Sequence, residues 1–414
     1  MIPFFLVVAG ALGGAALLRW WLESRFHWER IARVQHRVHV NGIRGKSTVT
    51  RIVAGMLREA GLQTVAKSTG SAAAVIGPSG RDHALIRAGA PTILEQVRVA
   101  RDYVTPDTNA VVIECMAIKP AYQQMSERIV RSTIGVLTNV REDHQDLMGE
   151  TLPEIARSLL STCPENGILV TAEDNPEIMP IIEWEARRRN TRVVFADPSE
   201  VSDAELARFD YVAFKENVAI GLAIAKLIGI PRSVAMEGMV KAAPDPGVLR
   251  MRQLEIAGKQ VTWANLFAVN DRESMVVAME RLAPYRTPGT STVGILNNRS
   301  DRQRRAVQFA DVAVRDLDFD RLVTFGAYED IVTEKLLANG YPRRRISNLG
   351  EQHNPSVQEI IEEIVVRDPA DHVLVVGFVN IHTRQAEMML HYFEHEADTS
   401  DWLPPALEQP GAVA

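Results

Sequence analysis

The stretch Asn41-Gly42-Ile43-Arg44-Gly45-Lys46-Ser47-Thr48 has the residue types of a phosphate-binding loop. Gly42 and Gly45 allow a tight turn that brings backbone N–H groups to phosphate oxygens. Lys46 is long enough to reach the β- and γ-phosphates, and the Ser47 hydroxyl can ligate Mg²⁺. The general pattern G-x-x-x-x-G-K-[ST] would start at position 40, which is Val40, so this is a shortened G-x-x-G-K-S form. Two other groups stand where chemistry is expected. Glu114 comes after the apolar run Ala110-Val111-Val112-Ile113, and Asp143-His144 come after the run from Thr133 to Asn139. A carboxylate suits Mg²⁺, and a neutral imidazole can ligate a second metal ion.

These groups need elements to position them. Arg37 to Val40 reads as a strand. Val49, Ile52, Val53, Met56, Leu57 and Ala60 recur at helical spacing, and Gly61 is a stop. Strand, glycine loop and helix is the context in which a phosphate-loop match is credible. The apolar runs ending at Glu114 and Thr138 read as further strands of a parallel sheet, and ligands of such sheets bind beyond the carboxyl ends of the strands. That places Glu114 and His144 toward the nucleotide.

Composition bounds the rest. The 414 residues suggest two or three domains, and 46% apolar content supplies material for their cores. A net charge of −6 gives no basic field for nucleic acid. Two cysteines, Cys115 and Cys163, make neither a disulfide framework nor a metal motif, and the body reads as cytoplasmic and reduced. Ile2 to Leu18 carries no charge over 17 residues, and Arg19, Arg25, Arg30, Arg33 and Arg37 come after it. The length is at the short edge of a bilayer span, and the arginines place the remainder of the chain on the cytoplasmic side. The expectation is a retained, single-pass or membrane-associated anchor, ahead of a packing or oligomerisation helix and of a cleaved signal peptide, which would need a basic segment before the apolar run, with Glu23 to Gln35 as a charged helical stalk.

Asp245-Pro246-Gly247 reads as a turn and a boundary. Beyond it, strands at Thr262–Ala268, Val293–Leu296, Leu322–Gly326 and His372–Gly377 alternate with helical patterns, which implies a second open parallel sheet. Asn270, Asp271 and the run Asn297 to Arg302 stand just after strands, either as site loops or as turns. The expected organisation is an anchor and stalk over 1–36, an α/β ATPase domain over 37–245, a smaller Rossmann-like α/β domain over 246–397 and a loose tail over 398–414.

The order G-x-x-G-K-S-T, strand-end Glu and T-N-x-x-x-D-H resembles the central ATPase domain of the Mur ligases and folylpolyglutamate synthetases. His39 to Thr48, Lys-Ser-Thr-Gly-Ser-Ala (67–72), Glu-Cys-Met-Ala (114–117) and Thr-Asn-Val-Arg-Glu-Asp-His (138–144) look more closely like the ligase subunit of bacterial poly-γ-glutamate synthases of the PgsB/CapB type. The resemblance implies ATP and Mg²⁺ as cofactors, an acyl phosphate intermediate and a γ-glutamyl amide product. Glutamate, the growing poly-γ-glutamate chain, the membrane, other membrane subunits of a synthase complex and further copies of the chain are the implied partners.

Carried over by position, Lys46 would hold the transferring phosphate, and Ser47, Thr69 and Glu114 would serve Mg²⁺. His144 would serve a second metal, and Asn217 would approach adenine. Arg250 or Arg252, at the domain junction, would contact nucleotide phosphates, and the loop at Asn270 and Asp271 would come near ATP. Arg44 and Arg81 are candidates for substrate carboxylates. One departure stands out. Many Mur ligases carry a carbamylated lysine about fifteen residues after the histidine; here that position is Leu159, and no lysine lies between Lys119 and Lys215. Two other readings stay open: a related ligase with another amino-acid substrate, and a membrane-tethered ATPase that drives export.

Overall fold

The chain, in a computed structural model, divides into two units. One comprises Met1–Phe209 with Ala213–Asp245, the other Asp210–Val212 with Pro246–Ala414. The structure describes residues 2–70, 73–87, 91–245, 248, 251–350, 354–381 and 383–396; at 2–7, 10, 11, 20, 395 and 396 it describes the backbone alone. The tail expected over 398–414 lies outside the described residues, as does Arg250.

Among the described residues the first unit is built on eight strands: β1 (His36–Asn41), β2 (Thr64–Ser68), β3 (Ala74–Ile76), β4 (Asp82–Ala84), β5 (Ala110–Glu114), β6 (Ile134–Leu137), β7 (Ile168–Thr171) and β8 (Arg192–Phe195). Their order is β4-β3-β2-β5-β1-β6-β7-β8. The six strands from β2 to β8 in that order run parallel, and β3 and β4 add an antiparallel hairpin at one edge. The accompanying helices are α1 (Ile2–Arg33), α2 (Lys46–Glu59), α3 (Glu95–Tyr103), α4 (Pro120–Val130), α5 (Gln145–Met148), α6 (Leu152–Leu159), α7 (Met179–Arg188), α8 (Asp203–Leu206), α9 (Lys215–Ile228) and α10 (Arg232–Lys241). All five residues of β5 are buried, the burial pattern of a parallel strand covered on both faces. The consequence for function is the alignment of strand ends. Val40 pairs with Glu114, and Asn41 pairs with Leu137, so the phosphate loop, Glu114 and the segment after β6 emerge side by side.

The N-terminal segment departs from expectation in two ways. First, the stretch expected to be a stalk is the C-terminal half of the continuous helix α1, and its end packs into the first unit. His27 and Ile31 are buried, Ile31 and Val34 join the core cluster with Val65, Val99 and Val111, and Arg131 sits 3.8 Å over the Trp28 ring. Second, among the described residues no helix is long and apolar enough to cross a membrane. The uncharged run Ile2 to Leu18 falls partly on residues of which the backbone alone is described. The spanning anchor is therefore not found among the described residues.

The second unit has six strands among its described residues: β9 (Met251–Ile256), β10 (Lys259–Leu266), β11 (Thr290–Asn298), β12 (Arg321–Gly326), β13 (Ile346–Asn348) and β14 (His372–Phe378). Their order is β13-β12-β11-β14-β10-β9, all parallel except β9. Helices α11 (Arg272–Leu282), α12 (Gln303–Arg315), α13 (Glu329–Ala338), α14 (Val357–Ile361) and α15 (Arg384–His391) cover it. Each face carries its own apolar layer, one around Phe309, Phe319 and Phe378, the other around Trp263, Phe267 and Phe393. Trp263 stacks on Phe393 with ring centres 4.1 Å apart.

Candidate active site

The phosphate loop leaves β1 after Asn41 and enters α2 at Lys46. Gly42 and Gly45 have φ of 133° and 79°, and a Cβ on Gly42 would stand 2.0 Å from Thr138 Oγ1. Only glycine fits that approach. Gly45 precedes α2 and offers no side-chain bond to the helix amides. The first-turn N–H groups of α2 thus take no cap from the residue before them, at the positive end of the helix dipole, which is the arrangement that receives an anion. The loop is pinned to the segment after β6. Thr138 N donates to Asn41 O (2.9 Å), Ile43 N to Asn139 O (3.2 Å), and Arg44 N to Asn139 Oδ1 (3.0 Å). Thr138 Oγ1 donates to Arg44 O at 2.6 Å. Lys46 Nζ folds back onto Gly42 O (2.6 Å) and Ile43 O (3.1 Å). Burial lowers its pKa; Glu114 opposes that, and Arg44 adds to it.

On the β5 side, Glu114 is almost fully buried and gathers the donors around it. Ser47 Oγ lies 3.1 Å from both carboxylate oxygens, Ser68 Oγ donates to Oε2 at 3.2 Å, and Thr69 N donates to Oε2 at 2.6 Å. Asp245 reaches the same place: a Cβ on Gly70 would sit 2.3 Å from Ser47 Oγ and 2.6 Å from Asp245 Oδ2. Two carboxylates and two hydroxyls converging beside a phosphate loop are a hard-oxygen donor set that fits a divalent cation such as Mg²⁺.

On the β6 side stand Asp143 and His144. Arg44 NH2 donates to Asp143 Oδ2 at 2.9 Å, with Asp143 9% and Arg44 25% exposed. His144 takes a left-handed conformation (φ 51°) at the start of α5, and its Nε2 is 3.8 Å from Asp143 Oδ2. Because β1 lies between β5 and β6, Glu114 and His144 flank the loop from opposite sides. Among the described residues no three His, Cys, Asp or Glu side chains converge as a metal cluster. Leu159, at the position where many Mur ligases carry a carbamylated lysine, is buried in an apolar cluster with Ile43, Val140, Met148 and Ile155.

The other candidates are distributed around and beyond this loop. Asn217, at the start of α9, lies against it: a Cβ on Gly45 would stand 2.5 Å from its Oδ1. Thr48 sits half-buried in the first turn of α2. Asn41 turns inward, donating from Nδ2 to Gln123 Oε1, Leu159 O and Thr162 Oγ1. Its side chain braces α4 and α6 against β1, and its contribution to the loop is its carbonyl. Thr69 approaches Glu114 through its backbone. Arg81 is exposed in the β3–β4 hairpin. In the second unit, Asp271 caps α11 by accepting from Ser274 N at 2.8 Å. Asn270 Oδ1 accepts from Asn380 N at 3.0 Å. Arg252 lies on β9 and donates to Phe393 O.

Comparison with known proteins agrees with this geometry. Residues 40–231 match the family model of the Mur ligase middle domain, and residues 251–396 match that of the poly-gamma-glutamate synthase CapB C-terminal domain. PGA synthase CapB of Bacillus subtilis (strain 168) is 35% identical over 364 residues, covering 87% of this chain and 91% of that protein. The chain belongs to the CapB family of poly-γ-glutamate synthases. Capsule biosynthesis protein CapB of Bacillus anthracis is likewise 35% identical, over 87% of this chain and 77% of its own. The fold is that of the wider Mur ligase group. Mycobacterium tuberculosis folylpolyglutamate synthase, complexed with ADP and AMPPCP, superposes with a TM-score of 0.61 at 13% identity, over 87% of this chain and 95% of that one. MurF from Acinetobacter baumannii gives 0.64 at 14% identity, over 89% and 78%.

Two buried ion-pair groups on the strands of this CapB-family domain have partners that no local sequence signal gives. Lys67 is fully buried on β2, its Nζ 3.2 Å from Glu95 Oε2. Glu95 also takes Arg87 through two bonds of 2.7 and 3.1 Å. Burial lowers the Lys67 pKa against the pull of Glu95. His39, also fully buried, pairs with Glu127 at 2.6 Å and touches Ser126 Oγ at 3.0 Å. Burial works to lower its pKa, but hydrogen bonding to Cys115 and Glu127 outweighs that and raises it to about 9. Lys67 and His39 open two of the motifs that carry the family resemblance. Their partners Glu95 and Glu127 lie 28 and 88 residues away and become visible only once the sheet is assembled.

Proposed function

We propose that the chain is an ATP-dependent acid–amino-acid ligase that joins glutamate through γ-glutamyl amide bonds to build poly-γ-glutamate. The observation that carries this is the side-chain-uncapped start of α2 beside the Ser47–Glu114–Ser68–Thr69 cluster. It supplies, in one place, an anion seat and a cation seat.

The chemistry rests on that arrangement. The amides of the loop and the N-terminus of α2 seat the ATP phosphates, and Lys46 swings from its loop carbonyls onto the γ-phosphoryl oxygens. A γ-carboxylate of glutamate attacks that phosphorus, the bond to ADP breaks, and an acyl phosphate forms. The amino group of another glutamate attacks the acyl carbon, loses a proton, and expels phosphate. A divalent cation held by Ser47, Glu114 and Asp245 would neutralise developing charge on the phosphate oxygens. Phosphoryl transfer asks the protein mainly for positioning and positive charge, and the loop provides both. Incubating the purified chain with ATP, Mg²⁺ and labelled glutamate tests the reading. Acid-precipitable γ-linked polymer, formed with equimolar ADP and phosphate and lost in Lys46→Ala, is the expected outcome. ATP hydrolysis without glutamate consumption would refute it.

Membrane association is part of the same proposal. It rests on the exposed apolar residues Leu12, Leu17, Leu18, Trp21 and Phe26 of α1. It takes the form of single-pass or surface attachment beside partner membrane subunits, with the catalytic body cytoplasmic and further copies of the chain as partners. Flotation with liposomes, with and without residues 1–26, tests it: a chain that stays at the bottom in both forms has no membrane affinity of its own.

A further inference from the structure

The two halves of the phosphate loop use their backbone differently. In the front half, Ile43 N donates to Asn139 O at 3.2 Å and Arg44 N to Asn139 Oδ1 at 3.0 Å, so both N–H groups are taken up inside the protein. The Arg44 carbonyl is held from the same side. It accepts from Thr138 Oγ1 at 2.6 Å and from Asn139 Nδ2 at 3.1 Å. The Arg44–Gly45 peptide is trans, and in a trans peptide the N–H points opposite to the C=O. The Gly45 N–H is therefore turned away from the segment after β6. Gly45 is left-handed, with φ 79° and ψ −4°, and Lys46 begins the right-handed helix α2. Successive residues of opposite hand bring three N–H groups, here those of Gly45, Lys46 and Ser47, to face one concavity, the backbone nest that binds anions. Among the described residues none of the three donates to a protein acceptor.

Resting on the reading of this loop as the seat of the ATP phosphates, we propose that Thr138 and Asn139 are positioning residues for the nucleotide. They act through the loop backbone. Together they fix the Arg44–Gly45 peptide, and that peptide sets the direction of the first amide of the nest. The residue types follow from the geometry. The Asn139 carboxamide meets the backbone of Arg44 at two points, accepting from its N–H and donating to its carbonyl, which a carboxylate of the same shape cannot do. The Thr138 hydroxyl supplies the second donor to that carbonyl. With both donors gone the peptide is free to rotate, and its carbonyl, turned toward the concavity, would repel phosphate. Gly45 has no Cβ to resist that rotation. Held as it is, the seat is formed before nucleotide arrives and needs no reordering on binding. The amide contacts are made in the bound nucleotide as much as during transfer, so the benefit falls on nucleotide affinity rather than on kcat.

The test uses the full chain and the variants Thr138→Ala, Thr138→Ser, Asn139→Ala and the double variant Thr138→Ala/Asn139→Ala, each checked by thermal melting. ADP and tripolyphosphate are titrated by calorimetry without glutamate, and kcat and KM for ATP are read from phosphate release. Each single Ala variant should weaken ADP binding about 3- to 10-fold, the order of a weakened hydrogen bond to a charged group. The double variant should lose more than the product of the singles, because in each single one donor still holds the carbonyl. Tripolyphosphate should weaken by the same factor as ADP, since the nest contacts phosphate alone. KM for ATP should rise in step, while kcat at saturating ATP stays within about threefold. Thr138→Ser keeps the hydroxyl and should bind both ligands as wild type does. Wild-type ADP affinity in both single Ala variants overturns the proposal. So does a loss for ADP with tripolyphosphate untouched, or a Thr138→Ser loss equal to that of Thr138→Ala. A loss carried by kcat and melting temperature with both Kd values kept also overturns it, because the two residues would then only brace the fold. A wild-type chain that binds both ligands but forms no amide would refute the ligase reading and leave this inference to the Kd values. One that binds neither would refute the phosphate seat itself.

Discussion

Replacing Glu114 with Gln keeps the side chain's shape and removes its charge, and the surrounding donors determine the consequence. The carboxylate accepts from Ser47 Oγ at 3.1 Å, Ser68 Oγ at 3.2 Å and Thr69 N at 2.6 Å, with only 3% of the residue exposed. A carboxamide offers one acceptor oxygen and one donor NH₂. Whichever way it turns, its NH₂ faces at least one of these donors. Hydrogen bonds to a charged group contribute about 1.5–3 kcal/mol, and losing a charged cation ligand is of the same order. At about 1.4 kcal/mol per decade, the half-saturating Mg²⁺ concentration should rise about 10- to 100-fold. The assay is phosphate release at saturating ATP and glutamate across a Mg²⁺ titration, with Mn²⁺ as a second ion. The melting temperature should fall by only a few degrees, since one buried donor is left unsatisfied. The reasoning is refuted if the rate falls while the Mg²⁺ half-saturation stays at the wild-type value, for Glu114 would then brace the loop without serving a cation.

Asn41→Ala should destabilise the first unit by about 1–3 kcal/mol, because Gln123, the Leu159 carbonyl and Thr162 lose their shared donor. ATP analogue affinity should stay within about threefold, as denaturant melts and titration calorimetry would show. Gly45→Ala imposes a left-handed φ of 79° on an L-residue and sets its Cβ 2.5 Å from Asn217 Oδ1. The strain of about 1–2 kcal/mol should appear as roughly tenfold weaker nucleotide binding. His39 has a folded pKa raised to about 9, so its pairing stabilises fully below the ordinary histidine pKa and is lost as pH rises through about 9. Melting temperatures from about pH 6 to 10 should fall across that window in wild type, and the fall should be shallower in His39→Gln. Glu329 is the opposite case. Burial raises its pKa to about 6, against hydrogen bonds from Thr324 and Asn298. Protonation therefore favours folding below about pH 4.5, and the advantage is lost as pH rises through about 6. Glu329→Gln should stabilise the second unit by at most about 2 kcal/mol at about pH 8, with no gain at about pH 4.

What the sequence made legible depended on whether the physics was local. The phosphate loop, the strand-end Glu114 and the Asp143-His144 pair all come from runs of a few residues whose periodicity switches at a glycine or a polar stop. The CapB-family membership and the parallel α/β fold rested on those words taken in order. Asn41 shows where such reading stops. It is the last residue of β1, and strand alternation turns its side chain into the interior toward α4 and α6, which no count along the chain reveals. Asp271 looks like a site-loop acid, yet it accepts from the third amide of α11 as any helix-capping aspartate does. The Lys67–Glu95–Arg87 and His39–Glu127 groups depend on strand order and helix placement, and their partners are tens of residues apart.

The position of Leu159 ties these observations to mechanism. Burial of Leu159 with Ile43 and Val140 makes the underside of the loop apolar, and its carbonyl holds Asn41 from below. A charged ligand at that position would have to break this cluster, at a cost of several kcal/mol for an unpaired buried charge. The polar machinery is therefore confined to two places: the Glu114 seat next to β5, and the Arg44–Asp143–His144 group after β6. The first is an all-oxygen pocket suited to a divalent ion. The second already contains its cation, covalently part of the loop and oriented by Asp143. The two sides then predict different ion sensitivities. Glu114→Gln should change how the rate depends on Mg²⁺, whereas Arg44→Ala, which removes the ion pair with Asp143 on the other side of the loop, should leave the midpoint unmoved. Parallel titrations of the two variants separate these roles, and a shifted midpoint in Arg44→Ala would mean that the two sides do not act independently.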